Sequence, residues 1–406
     1  MALFPYPAQV GLIETFTFGS QILRGRSGTE QRIAKTCGVP RWEFDATYSL
    51  SADRMRAAEA LWHAGGQDAW SLPVWTESVE HFGPLAATET EIVCDTRYGR
   101  FVEGSDVTIW SSPEHCETAT LDAVTDGSLT LSAGLASSYS GRVLIVPTFT
   151  AWATLTSSWS HRRTGAGSVA LAWTLTDNPR PSDLADPLVT YDDIEVLAEP
   201  WPLAAASQWS VETTPQLTMI DNGIGRLAAA AAADYAQTNQ PYHRTLRGPK
   251  EAWDFKQWLH RLAGRQKSFF VPTWKRDFVP STAAGASDDT LDVVAAGRVG
   301  NYGPDDLRQY VGIWLDGTLT VRKITDLTAV SATVERLALD TTLGRAVPAG
   351  DRARICWVDR CRLAKDAVSL QWPARHRAQV ATALTRIWQT PVAYGDGVYG
   401  MGVLAG

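Results

Sequence analysis

A stretch of 21 residues occurs twice in this chain, and a duplicated unit sets the architecture before any local motif does. Residues 57–77 read AAEALWHAGGQDAWSLPVWTE and residues 256–276 read KQWLHRLAGRQKSFFVPTWKR. Gly65 aligns with Gly264, Gln67 with Gln266, Pro73 with Pro272 and Trp75 with Trp274, each pair 199 positions apart. That period is close to half of 406 residues, which predicts a tandem duplication of one module and excludes a short-period solenoid. In each copy a helix-like segment stops at glycine and gives way to an extended run carrying a tryptophan.

The pattern around the repeat fills in the module. Residues 12–18 (LIETFTF) alternate apolar and polar, the period of a half-buried strand. Residues 41–50 alternate cleanly, placing Trp42, Phe44, Ala46, Tyr48 and Leu50 on one face. Ser51 is a candidate N-cap for a helix with Met55, Ala58, Leu61 and Trp62 at helical spacing, ended by Gly65-Gly66. From residue 89 to 152 the chain breaks into five short strands separated by Gly, Asp and Ser, which suggests a small barrel or sandwich. Residues 169–175 read as a strand returning to the first sheet, so the barrel is an insertion. Similar strands recur in order at 290–294, 310–314, 319–321, 332–339 and 354–358, with a returning strand at 380–388.

The expected fold class is mainly β, with α+β modules: a tandem β-sandwich-like module with one helix, each copy bearing an inserted small β-barrel. The expected organisation is a first module at 1–85, its barrel at 86–152, return strands at 153–180 and a proline-bearing linker at 181–206. The second module follows at 207–282, its barrel at 283–360, and return strands with a glycine- and aromatic-rich tail at 361–406. Residues 227–236 (LAAAAAADYA) fit a helix by propensity and close backbone packing by size, and both readings stay open.

Composition narrows the function. Hydrophobic residues at 45% and charged residues at 20% describe a folded chain. A net charge of −7 withholds the basic excess that a general nucleic-acid surface needs for counterion release. The five cysteines (Cys37, Cys94, Cys116, Cys356, Cys361) contain no CxxC pair and read as reduced thiols in strands. No apolar run approaches the roughly 20 residues that span a bilayer. The start MALFPYPAQV lacks a signal peptide's basic and apolar regions, so synthesis and folding in the cytoplasm are expected. Seventeen tryptophans suit either well-filled β cores or several interfaces.

No phosphate-binding, dinucleotide, zinc-protease or nucleophile-elbow motif occurs. The seven histidines are scattered, and neighbours such as His115 and Cys116 point to opposite faces of a strand. The paired carboxylates Asp192-Asp193, Asp288-Asp289 and Asp305-Asp306 read as turn residues. Catalytic, metal and cofactor residues are therefore expected to be none. Arg24, Arg26 and Arg32 form a basic run that reads either as a solvated loop or, the favoured reading, as a match for acidic groups on a partner subunit.

The loop Ser27-Gly28-Thr29-Glu30-Gln31-Arg32, followed by the 42–50 strand, the helix and its glycine stop, resembles the distal tail proteins of long-tailed bacteriophages and gene transfer agents. The second copy keeps Gly264-Arg265 and Val271-Pro272-Thr273-Trp274 but has no counterpart of the loop signature. The resemblance covers roughly residues 12–80 well and 240–280 less well. It implies a non-enzymatic virion component: a ring at the tail tip, a trimer with pseudo-six-fold symmetry or a hexamer, joining tail tube protein to hub and fibre proteins. DNA would pass through its channel without specific binding, and no membrane insertion is implied. Arg26, Glu30, Arg32, Tyr394 and Tyr399 are the candidate oligomer contacts. The alternative is a carbohydrate-binding adhesin using Trp110 and Trp314 as stacking platforms.

Overall fold

The computed structural model describes residues 1–8, 11–25, 29–35, 39–65, 67–153, 157–176, 184–199, 211–221, 223–224, 228–301 and 308–387. Strands hold 53% and helices 9%, which makes the protein mainly β.

The first half opens with β1 (Ala2–Leu3), β2 (Leu12–Thr17), the hairpin β3 (Ser20–Arg24) and β4 (Glu30–Ala34), and β5 (Arg41–Leu50). The alternation of β5 is realised: Trp42, Phe44, Ala46, Tyr48 and Leu50 are buried and the residues between them face outward. Helix α1 (Ala52–Gly65) buries Met55 and Ala58 against the sheet. Next come β6 (Trp70–Pro73), a tight turn (Trp75–Glu77), β7 (Val79–Phe82), β8 (Glu91–Val93), β9 (Asp106–Ser112), β10 (His115–Val124) and β11 (Ser128–Leu131). The half ends with the long β12 (Arg142–Ala153), β13 (Ser158–His161) and β14 (Gly167–Leu175). Strand β14 pairs with β5 from Gly167 opposite Leu50 to Thr174 opposite Glu43, so the chain does return to its first sheet.

Between the halves lie the short pair β15 (Thr190–Tyr191) and β16 (Ile194–Glu195). The prolines of this stretch suggested a linker, yet Arg261 holds Glu195 through two hydrogen bonds, at 2.6 and 3.2 Å, so residues 184–199 pack on the second half. The second half runs β17 (Glu212–Ile220), β18 (Ala228–Arg247), α2 (Gly248–Leu262), β19 (Phe269–Pro272), β20 (Thr290–Val294), β21 (Tyr310–Leu315), β22 (Thr318–Ala329), β23 (Val334–Leu339), β24 (Arg354–Leu363), β25 (Ala367–Ala374) and β26 (Arg377–Arg386). The alanine run is strand: Ala228 to Ala231 pair with Ile220 to Leu217, and sheet pairing overrides alanine's helix propensity.

Both halves use one order of pairing. The first runs β13-β14-β5-β2 and the second β25-β26-β18-β17, and β2 joins them by pairing with β25. Eight antiparallel strands thus form one sheet with β13 at one edge and β17 at the other. Beneath it the modules share a core, in which Phe16, Trp42, Trp70 and Trp173 pack in one cluster with Tyr242, Phe255, Leu259 and Leu370. A core for each module was the simpler expectation; the β2–β25 join makes a common one. The short strands enclose two separate cores, one around Ile92, Ile109 and Leu129, the other around Leu291, Ile313 and Leu337.

Candidate assembly surface

The joint between the modules is where this chain shows how it makes a contact. Strand β2 meets β25 from Leu12 opposite Trp372 to Thr17 opposite Ala367, and the Thr15 and Ser369 hydroxyls lie 2.9 Å apart. Hairpin β3–β4 then crosses onto the second module. Ser20 Oγ donates to Asp366 Oδ1 at 2.7 Å, and Arg265 Nη2 donates to the Ser20 carbonyl at 2.9 Å. Arg24 Nη1 donates to Gln237 Oε1 at 2.6 Å. Arg362 grips Glu30 with Nε and Nη2 at 2.8 and 3.0 Å, the two-pronged geometry that guanidinium and carboxylate favour. Burial alone would raise the Glu30 carboxyl; the Arg362 hydrogen bonds and charge, with Arg24, hold it below the usual range.

Under the sheet the same joint encloses a charge cluster. Lys256 Nζ on α2 lies 2.7 Å from Glu14 Oε1 on β2 and 2.8 Å from Glu77 Oε1 in the tight turn. The indoles of Trp42 and Trp372 each donate to Glu14 at 2.9 Å. The Arg100 backbone donates to Glu77 Oε2 at 2.8 Å, its guanidinium sits 3.7 Å from the Trp42 ring centre, and its Nη2 is 3.1 Å from His260 Nε2. Glu14, Glu77, Arg100, Lys256 and His260 are all buried, and none of them lines either of two surface grooves of about 820 and 510 Å³. Two carboxylates and two cations cancel, so the cluster locks elements of both modules together and presents nothing to a substrate.

This lock is pH-sensitive. Burial pushes the Glu77 carboxyl up, but Lys256 and Arg100 outweigh it and leave the carboxyl below its ordinary value of 4.5. A carboxylate depressed in the folded state contributes stability above its unfolded value and loses it as pH falls through the folded value. Thermal melts are therefore expected to be flat with respect to this group from pH 7 down to about 4.5 and to fall steeply below it. Glu77→Gln should flatten the acid limb, and an acid limb unchanged in that variant would remove Glu77 from the role.

Of the contact residues expected from sequence, Arg26, Tyr394 and Tyr399 lie outside the described residues. Glu30 is committed within the chain: its side chain is 5% exposed against Arg362, so it holds module to module and not subunit to subunit. Arg32 is half-buried in β4, opposite Ile22 of β3. Trp110 donates to the Pro5 carbonyl at 2.9 Å and packs edge-on against Trp75, with ring centres 5.5 Å apart. Trp314 packs edge-on against Trp274 at 5.3 Å. These are matching pairs built on the two repeated tryptophans, and both rings are engaged in packing in place of forming open platforms. Asp192 and Asp193 form the β15–β16 turn with φ of 51° and 57°, and Asp288 accepts from the Gly285 amide at 2.6 Å. Asp305 and Asp306 lie outside the described residues, among which no group of three or more His, Cys, Asp or Glu is placed to hold a metal.

The buried cluster had a visible signal. Glu14 stands on the same face of LIETFTF as Phe16, and Lys256 lies within the apolar face of a helix that also buries Ala252, Phe255 and Leu259. A charge of each sign on a buried face asks for a partner.

Fold and joint together define a mainly β protein of two modules with the same pairing order, set head to tail. A scan against models of known protein families finds no match, and a search of the curated proteins returns no relative.

Proposed function

We propose that this chain is a ring-forming structural subunit of a phage-like tail tip, a distal tail protein of the kind its Ser27 to Arg32 loop and 42–50 strand resemble. The alternative of a glycan-binding adhesin loses its platforms to the Trp75–Trp110 and Trp274–Trp314 packing. The observation that carries the proposal is the β2–β25 joint. It unites two similar modules through different surfaces, and a heterologous contact of that kind closes into a ring when the rotation permits. Two modules per chain let three chains supply six positions, or six chains twelve.

The outward face of the sheet supports a channel wall. Over its central strands it carries Thr17, Ser369, Gln371, Gln379 and Ala381, small or neutral side chains, with Arg377 exposed at the end of β26. The neutral middle of this face gives passing DNA few cations to release counterions against. The two small cores stand apart from the shared one and supply surface for hub and fibre components. Sedimentation across a concentration series, with negative-stain images of the largest species, tests the reading. The expected result is a closed ring of three or six chains, and a chain that remains monomeric at every concentration overturns it.

A further inference from the structure

The two modules bear matching surfaces, and among the described residues only one carries a hairpin. Over the second module a groove of about 510 Å³ runs between Ile22 and Arg24 of the β3–β4 hairpin and Glu212, Asn239, Arg362 and Thr385. Over the first module a groove of about 820 Å³ runs past Thr15, Glu43, Trp152 and Thr174. Strand register makes these the same positions. Ala151 and Ala153 oppose Leu175 and Trp173, as Cys361 and Leu363 oppose Arg386 and Leu384, so Trp152 stands where Arg362 stands. Phe44 opposes Trp173 and Gln240 opposes Leu384, which equates Glu43 with Asn239, and their partners Thr15 with Glu212.

The smaller groove is walled by the hairpin of the preceding module, which is bonded to Gln237 and Arg362. The equivalent hairpin of the second module is β17 with the first half of β18, and it is uncovered. Leu217, Met219 and Ile220 are 53%, 59% and 46% exposed, and at the hairpin's base Val211 is 40% exposed where its counterpart Glu14 is buried. In the open groove Trp152 is 47% exposed. Strands β17 and β13, the two ends of the eight-stranded sheet, each lack a second neighbour among the described residues. An apolar two-stranded hairpin is marginal in water, and an uncovered apolar patch with an open strand edge invites a partner.

We infer that the β17–β18 hairpin of one copy seats in the open groove of a second copy, its apolar tip covering Trp152 while β17 pairs with the neighbour's β13. This rests on the ring reading above and assigns the surface that builds the ring. The joint inside the chain is the template: Thr15 opposes Ser369 there, and Trp159 occupies the place of Leu370 because each faces the corresponding valine, Val169 or Val380. Glu212 of one copy therefore faces Ser158 of the next. The ionic grip of Glu30 on Arg362 is replaced between copies by apolar contact at Trp152, so the contact between chains resists salt.

The test is a chain carrying Glu212→Cys and Ser158→Cys, oxidised under conditions where the protein assembles, beside the unmodified chain and each single substitution. The expected result is a ladder of covalent multimers from the double variant alone. Trp152→Asp and Met219→Asp, both at exposed positions, should each weaken association by about tenfold or more and leave the melting temperature of the isolated chain unchanged. Rings that form without a ladder, and that Trp152→Asp leaves intact, overturn the groove assignment while the ring reading stands. A chain that stays monomeric throughout overturns both.

Discussion

Replacing Lys256 with methionine is expected to lower the unfolding free energy by about 3–5 kcal/mol, the range for breaking a buried ion pair from one side. Methionine keeps much of the unbranched stem, so packing changes little and the loss is electrostatic. The Lys256 ammonium lies within 3 Å of both Glu14 and Glu77. In the variant Arg100 still faces Glu77, while Glu14 loses its contact cation and keeps the indole donors of Trp42 and Trp372. That carboxylate, buried without its ammonium partner, then carries an uncompensated desolvation penalty. Denaturant titrations of the variant beside the parent measure the loss. Combining Lys256→Met with Glu14→Gln and Glu77→Gln should recover a large part of the loss, because removing all the charges avoids leaving one unpaired. A loss below about 1 kcal/mol would mean the cluster is hydrated and no lock.

The shape of that cluster marks the limit of what the sequence discloses. Strand β5 was legible residue by residue, since a period of two over ten positions has one physical solution. The repeat made the second set of short strands readable from the first. What stayed hidden was every pairing between distant segments. Nothing local to residues 12–17 says that they meet 367–372: β25 alternates too, with Val368, Leu370 and Trp372 buried, and alternation marks a strand without naming its partner. The hairpin β3–β4 was hidden for a related reason. The residues around its turn are polar and read as a loop, while its partners Arg265, Arg362 and Asp366 come from the other half of the chain. Glu30 was singled out as an oligomer contact, and its guanidinium partner proves to be Arg362 of the same chain, which a carboxylate in a polar loop does not disclose. The alanine run was ambiguous because alanine has little side chain with which to vote, and pairing with β17 decided it.

The repeated glycine shows how one letter serves two physical needs. Gly264→Val should cost about 3 kcal/mol or more, whereas Gly65→Ala should shift stability by less than about 1 kcal/mol. Gly264 follows the left-handed end of α2 and itself sits at φ 72°, a conformation that β-branched side chains avoid. A Cβ there would come within 2.6 Å of Phe18 Cβ and 2.7 Å of Asp366 Oδ1. Phe18 leads from β2 into the hairpin, and Asp366 receives Ser20, so relieving the clash means parting the joint between the modules. At Gly65 the nearest atoms are on the Trp70 ring at 3.4 Å, ordinary contact distance. Side-by-side urea titrations of the two variants measure the asymmetry, and equal losses would show that helix termination alone explains both glycines. With the asymmetry found, the second glycine belongs to the joint as much as to the helix, because the first module's hairpin needs its backbone bare. Among the described residues no hairpin lies against the matching surface beside Gly65, which is what a module waiting for another copy requires.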